Sequence, residues 1–489
     1  MKRRITGANP YMPLWEHVPD GEPRVFTYGG ETRVYVYGSH DTEITEYCGR
    51  DQVVWSAPVD DLTNWTCHGV CYTATNGSIL YAPDVVKKGD TYYLYAAEDK
   101  GSHVYVATSS NPAGPFTNPV LTDLGFDPGV LVDDDGKAYA FWGFCSSYCG
   151  ELNDDMATIK EGTLREHPLL HCRSTFNSDT EFEDLEKGFF EASSPRKING
   201  KYVYIFSLMH NKPIKELGSP ENCNGFLSYF YSDNPLDGYV WGGDISFNGG
   251  EIVNIMGVDY MTYQWGNNHG SLCEINGKWY IFYHRQTGVN EFSRQAMLEP
   301  VKVDMDSEGH LFIGKIIYKE IDGRKVPVAS VPVEMTSQGP MTNGIDAYSI
   351  ISAGYACHIF KFGTVYAPCS TCNAYIKPVY EKDYNISAPV VNIQSETTVG
   401  FRYLQFGDNN KKPQKVNIKL EILEDIHINI RYGGFDGMIA GSQDVEKGTE
   451  NVTIQLTQAL NGKLPIYFEF LSDRDGEIVR FVEFDFDRV

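Results

Sequence analysis

The stretch 190-FEASSPRKINGKYVYIF-206 sets Asn199-Gly200 between two apolar runs, the composition of a tight turn joining antiparallel strands. One residue resists that reading. Glu191 stands behind Phe189-Phe190 at the mouth of the first strand, where burial penalises a charge. Working outward, 34-VYVYG-38, 92-YYLYA-96, 138-AYAFW-142 and 279-WYIFY-283 repeat the run 202-YVYIF-206 at intervals of 46 to 77 residues. Each follows a turn: Gly29-Gly30, Gly89-Asp90, Asp135-Gly136 and Asn276-Gly277. A second echo sets 108-TSSNPAGPF-116 against 231-YSDNPLDGY-239. Five hairpins with further strands between them predict an all-β fold whose larger part is a five-bladed β-propeller.

Upstream of the five turns, by five to nine residues, stand Asp20, Asp84, Asp127, Glu191 and His269. Taken singly they have bland explanations. Asp20-Gly21 and Asp84 after Pro83 are turn chemistry, Asp127 is held extended by Pro128, and His269 lies in a Gly-rich loop beside Asn267-Asn268. As a set they occupy one structural position in every blade. If the first strands are innermost, their starts converge on one end of the central channel, and Glu191 faces a shared pocket.

Carboxylates without a phosphate-binding loop, a nucleophile elbow or an HExxH pair point to glycosidic chemistry, which needs an acid for the leaving oxygen and a base for water, or a nucleophile. Glu191 beside Phe189 and Phe190 suits the acid. Asp20, in a polar turn, suits the base, and Asp127 keeps Glu191 protonated through like-charge proximity.

The 489 residues are too many for one ordinary domain. A net charge of −24 repels nucleic acid and anionic membranes, so a neutral or cationic partner is expected. No apolar run reaches secretory or membrane-spanning length, which predicts a soluble, cytoplasmic chain as given, or an extracellular one if a signal was removed. Eleven scattered cysteines fit reduced thiols, and the pairs Cys67/Cys71, Cys145/Cys149 and Cys369/Cys372 lack zinc-knuckle spacing.

Asp20, Asp127 in FDPGVLVDDDGKAYAFWG, Glu191 in EASSPRKINGKYVYIFS and the stretch NNHGSLCEINGKWYIFYHR together resemble glycoside hydrolase family 43, whose members are five-bladed propellers. The resemblance implies Asp20 as general base, Asp127 as pKa modulator and Glu191 as general acid in inverting hydrolysis. It implies His269 as a channel histidine beside a calcium or other ion, and Arg294 in FSRQAMLEPV as a substrate contact. Tyr81 and Asp84 fall in 81-YAPD-84, where the family commonly has Trp-Ala-Pro-Asp, and both are expected at the pocket. Glu191-Ala192-Ser193 replaces the family's usual Glu-Gly-Pro. The chemistry requires no cofactor, and a structural calcium in the channel is an expectation of the resemblance alone. The implied function is exo-acting release of terminal pentoses from arabinose- or xylose-containing oligosaccharides or polysaccharides, with α-L-arabinofuranosidase leading and β-xylosidase the alternative. A silent carbohydrate-binding propeller, a fructan hydrolase and a glycoside phosphorylase are the competing readings.

The propeller is expected over residues 1–325, a linker or closing strand over 326–341, and a β-sandwich over 342–489, where alternating runs at 389–394, 416–423, 426–434, 452–460, 465–471 and 479–486 read as short strands. The stretches 400-GFRYLQFG-407 and 461-NGKLPIYFEF-470 are similar to carbohydrate-binding modules of family 6.

Overall fold

The computed structural model describes residues 2–43, 45–169, 172, 187–209, 224–364, 373–408 and 414–488. Cys223, Cys369 and Cys372 lie outside them. Among the eight described cysteines, Cys48, Cys67, Cys71, Cys149, Cys273 and Cys357 are free thiols.

Five antiparallel meanders surround one channel, as expected. Their inner strands are Glu22–Tyr28, Tyr81–Lys88, Gly129–Val132, Phe189–Ile198 and Ser271–Ile275, and each pairs with the second strand of its own sheet. Blades 1 to 4 have four strands. The fifth sheet has five, with Arg324–Val331 as its outer edge strand. A parallel bridge between Gly21 and Gly270 joins the first blade to the last.

The turns explain why the hairpins form. Gly29-Gly30 (φ 60° and 84°), Asn199-Gly200 (50° and 82°) and Asn276-Gly277 (50° and 70°) each put two residues in the left-handed region, the geometry whose twist matches paired strands. Aromatic runs fill the seams between blades. Phe141 packs on Tyr204 with ring centroids 5.0 Å apart, and Tyr37 and Trp55 are wholly buried. Trp65 is likewise core, Trp15 is partly exposed, and Tyr81 lines the pocket.

The C-terminal part is a two-sheet sandwich. One sheet orders Ile345–Asp346, Thr397–Gln405, Lys463–Leu471, Ile426–Tyr432 and Met438–Val445 side by side. The other orders Tyr375–Ile376, Val390–Ile393, Val479–Arg488, Gln414–Ile422 and Asn451–Gln455. Phe401, Phe468, Phe481 and Phe484 interdigitate between them. Met438–Val445 escapes the sequence pattern because it is a mostly exposed edge strand whose apolar residues do not alternate: Met438, Ile439 and Ala440 run together before Gly441.

Propeller and sandwich share one apolar core, in which Ile198, Leu227 and Ile281 of the blades join Ile345, Tyr355 and Phe401. The N-terminal segment stitches the two together. Arg4 bridges Ile350 and pairs with Glu483, while Asn9 reaches Leu298 O and Glu299.

Candidate active site

In a meander whose inner strand runs away from the pocket, the second strand returns, so its connection to the third strand arrives at the same end. Each blade therefore presents two places to the channel mouth. The starts of the inner strands give Asp20, Tyr81-Ala82, Phe126-Asp127, Phe190-Glu191, and Asn267 with His269. The second-to-third connections give Tyr47-Cys48, Lys100, Phe144 and Asn224, and in blade 5 Arg294 opens the third strand. Together they line one cavity of about 490 Å³, within the range of small-molecule sites.

The backbone aims the carboxylates. Asp20 (φ 58°), Asp127 (φ 50°) and Ala192 (φ 66°) are all left-handed, a conformation that L-residues adopt at a cost and that surrounding bonds must hold. Asp20 N donates to His284 Nδ1 at 3.2 Å, and the opposite ring nitrogen meets Asn267 O at 2.7 Å. That pair of partners fixes His284 as the neutral Nε2-protonated tautomer, and burial lowers its pKa to about 3. Ala192 N donates to Asp127 Oδ2 at 3.0 Å. Register shifts on either side of Glu191 mark a β-bulge, the usual device for turning a side chain out of a ladder. Gly129 is required where blades 3 and 4 meet, because a Cβ there would lie 2.3 Å from Ser193 O.

Three acids in one buried site acquire different proton affinities. Burial opposes ionisation of Asp20, but Arg294 Nη1 at 2.9 Å and Ser39 Oγ at 2.6 Å bond its two oxygens and hold it below the usual carboxylate range. With His284 neutral, the Arg294 guanidinium is the main charge responsible, and His269 adds to it. Burial and then the Asp20 charge push Glu191 up to about 8. Asp127 is raised as well, first by burial, with Glu191 and Asp20 adding to it and His269, 3.6 Å away, opposing. The site therefore holds one ionised carboxylate beside two that retain protons near neutrality.

Arg294 is itself held. Asp41 accepts from its Nε (3.0 Å), Nη2 (2.9 Å) and backbone N (3.1 Å), and the Tyr47 ring lies 5.0 Å from its guanidinium carbon. Replacing Arg294 with Gln removes the charge that keeps Asp20 ionised. The acid limb of the kcat/KM profile is expected to move up by roughly one to three pH units, with a smaller upward move of the basic limb because Arg294 also lowers Glu191. A pH-rate series on the variant checks this, and an unmoved acid limb contradicts the assignment.

The structure brings Asp20, Asp127, Glu191, His269, Arg294 and Tyr81 to the one cavity. Asp84 is the exception and is corrected here. It is wholly buried three residues further along its strand, where Arg24 Nη2 bonds both its oxygens (2.8 and 2.7 Å) and Val130 N donates to Oδ2 at 2.7 Å. A register shift between Tyr81 and Asp84 leaves Tyr81-Ala82, rather than Asp84, at the position matching Asp20.

A family model described as glycosyl hydrolases family 43 matches residues 20–308. The chain belongs to that family. Among curated relatives, a xylosidase/arabinosidase of Thermoclostridium stercorarium is 34% identical over 448 residues, covering 84% of this chain and 85% of the relative. An arabinoxylan arabinofuranohydrolase of Paenibacillus polymyxa is 26% identical over 474 residues, 88% of this chain and 67% of that one. Among solved structures, a family 43 arabinoxylan arabinofuranohydrolase from Bacillus subtilis aligns over 99% of both chains at 20% identity with a TM-score of 0.45.

As a family 43 glycoside hydrolase the protein needs no cofactor for its chemistry. The protein atoms around His269 fit calcium poorly, because of the six to eight oxygens it takes nearly all would have to be water. His269 Nε2 faces Glu22 Oε1 at 4.0 Å, a buried oxygen without a hydrogen-bond partner, while Glu22 Oε2 is already bonded by Arg196 at 2.7 Å. Among the described residues no three His, Cys, Asp or Glu side chains are placed to share an ion.

Sequence reasoning missed the second ring of pocket residues, Tyr47, Cys48, Lys100 and Phe144. The available signal was topological: each stands just after a recognised second strand.

Proposed function

We propose that this family 43 hydrolase is an exo-acting enzyme that removes terminal pentoses from arabinose- or xylose-containing oligosaccharides and polysaccharides, with α-L-arabinofuranosidase activity foremost and β-xylosidase activity the alternative. The observation that carries this reading is the single cavity in which Asp20 is ionised while Glu191 and Asp127 hold protons. A pocket closed beneath its carboxylates by buried side chains accepts a chain end more readily than the middle of a polymer. The T. stercorarium xylosidase/arabinosidase and the P. polymyxa arabinoxylan arabinofuranohydrolase point the same way.

In this reading Asp20 takes the proton of the attacking water, and Glu191 protonates the glycosidic oxygen as the bond to the sugar breaks. Burial and the Asp20 charge keep Glu191 protonated, and Asp127, through its bond from Ala192 N, keeps it oriented. Water arriving opposite the leaving group inverts the anomeric carbon. The aromatic wall formed by Phe126, Phe144 and Phe190, with rings 5.5 and 5.1 Å apart, lies on the Glu191 side, where the departing sugar would sit.

The test is pentose release from aryl α-L-arabinofuranosides, aryl β-D-xylosides and arabinoxylan oligosaccharides, with product configuration followed by NMR. Release of the inverted anomer from chain ends is expected. Absence of release from every pentoside, or release of the retained anomer, overturns the reading.

A further inference from the structure

Directly beneath the three carboxylates, two arginines close the channel. Arg24, two residues after Glu22 on the inner strand of blade 1 and therefore on the same face, lays its guanidinium on Asp84 of blade 2 and donates to Val130 O of blade 3 at 3.1 Å. Arg196 of blade 4 donates to Leu272 O of blade 5 at 2.9 Å, and to Glu22 Oε2 (2.7 Å) and Pro23 O (3.3 Å) of blade 1. Its Nη1 also bonds Pro195 O, at 2.8 Å. Two guanidiniums thus touch all five blades. The points they grip lie two or three residues beyond Asp20, Tyr81, Asp127 and His269, and, at Pro195, four beyond Glu191, whose strand carries the bulge.

This layer is charge-balanced. Arg24 is matched by Asp84 and Arg196 by Glu22, whose side chains are almost fully buried. A divalent ion added here would meet two fixed cations and one uncommitted carboxylate oxygen, Glu22 Oε1. The fork of an arginine is suited to the place, since it offers several donors in a rigid plane and reaches carboxylates and carbonyls on different strands at once.

We propose that Arg24 and Arg196 form a clamp that closes the propeller ring in place of a channel metal ion, so that the folded enzyme is indifferent to chelators. Removing one partner of a buried pair strands the other charge, which makes the clamp arginines far more sensitive to substitution than surface arginines.

The experiment uses the full chain. Calcium and other divalent metals are quantified by mass spectrometry after purification, and the thermal midpoint is measured with EDTA and with added calcium. The expected result is metal content well below one ion per chain and a midpoint unchanged by either addition. Arg196→Met and Arg24→Met are each expected to lower that midpoint by roughly 5 °C or more. A stoichiometric ion, a midpoint that falls on chelation and recovers with calcium, or either variant melting like the wild type would overturn the proposal. Should the variants fail to fold, metal content and chelator response of the wild type decide it.

Discussion

Replacing Asp20 with Asn is expected to lower kcat/KM by roughly 10³- to 10⁴-fold on every pentoside, whatever the leaving group, the loss that follows when a positioned general base is removed. The argument is local. Asp20 is the one carboxylate of the three that Arg294 and Ser39 keep ionised, and a base must be ionised to accept a proton from water. Asparagine preserves the side chain's size, its one carbonyl oxygen can still accept from Arg294 Nη1 while its amide donates to Ser39 Oγ, and Asp41 still pairs with Arg294, so the fold is expected to persist. Steady-state rates together with a thermal midpoint separate loss of chemistry from loss of structure. Appreciable turnover in a folded Asp20→Asn enzyme contradicts the assignment.

Glu191→Gln should behave differently. The proton it supplies matters in proportion to how poor the leaving group is. On an arabinoxylan oligosaccharide, whose departing oxygen is an alkoxide, the loss is expected to be roughly 10²- to 10⁴-fold. On a glycosyl fluoride, which leaves without a proton, it should be on the order of tenfold or less. Of the two carboxyls raised to about 8, the substitution removes the one that must donate a proton, so the basic limb it sets should disappear in assays with the fluoride. The sign follows from the role: the acid works only while protonated, and wild-type activity therefore falls as pH rises through that value, whereas the Asp20 limb falls as pH drops. Equal losses on both substrates would assign the acid to another residue.

The fold was legible because its turns are local chemistry repeated five times. Asn199-Gly200 and Asn276-Gly277 announce their hairpins without reference to anything distant, and the run 202-YVYIF-206 is a recognisable second strand in any blade. Asp20, Asp127 and Glu191 were legible by the same periodicity. Where a bulge changes the count, the reading failed: Asp84 shares the motif position but sits one layer deeper, on Arg24. The second-to-third connections were opaque for another reason. They range from the four residues 99–102 to the seventeen residues 209–225 and share no residue type, so Tyr47, Lys100 and Phe144 become equivalent only when the strands are assembled. The arginine clamp was hidden as well, since the partners Arg196 and Glu22 are 174 positions apart.

The account rests on five distant segments meeting around one sugar ring. A crystal structure of Glu191→Gln soaked with an arabinoxylan oligosaccharide tests this most directly. The account predicts a terminal pentose in the cavity, within hydrogen-bonding reach of residues 20, 127 and 191 together, with the rest of the chain passing over Phe144. A sugar seated elsewhere, or touching no more than one of those three side chains, would contradict it.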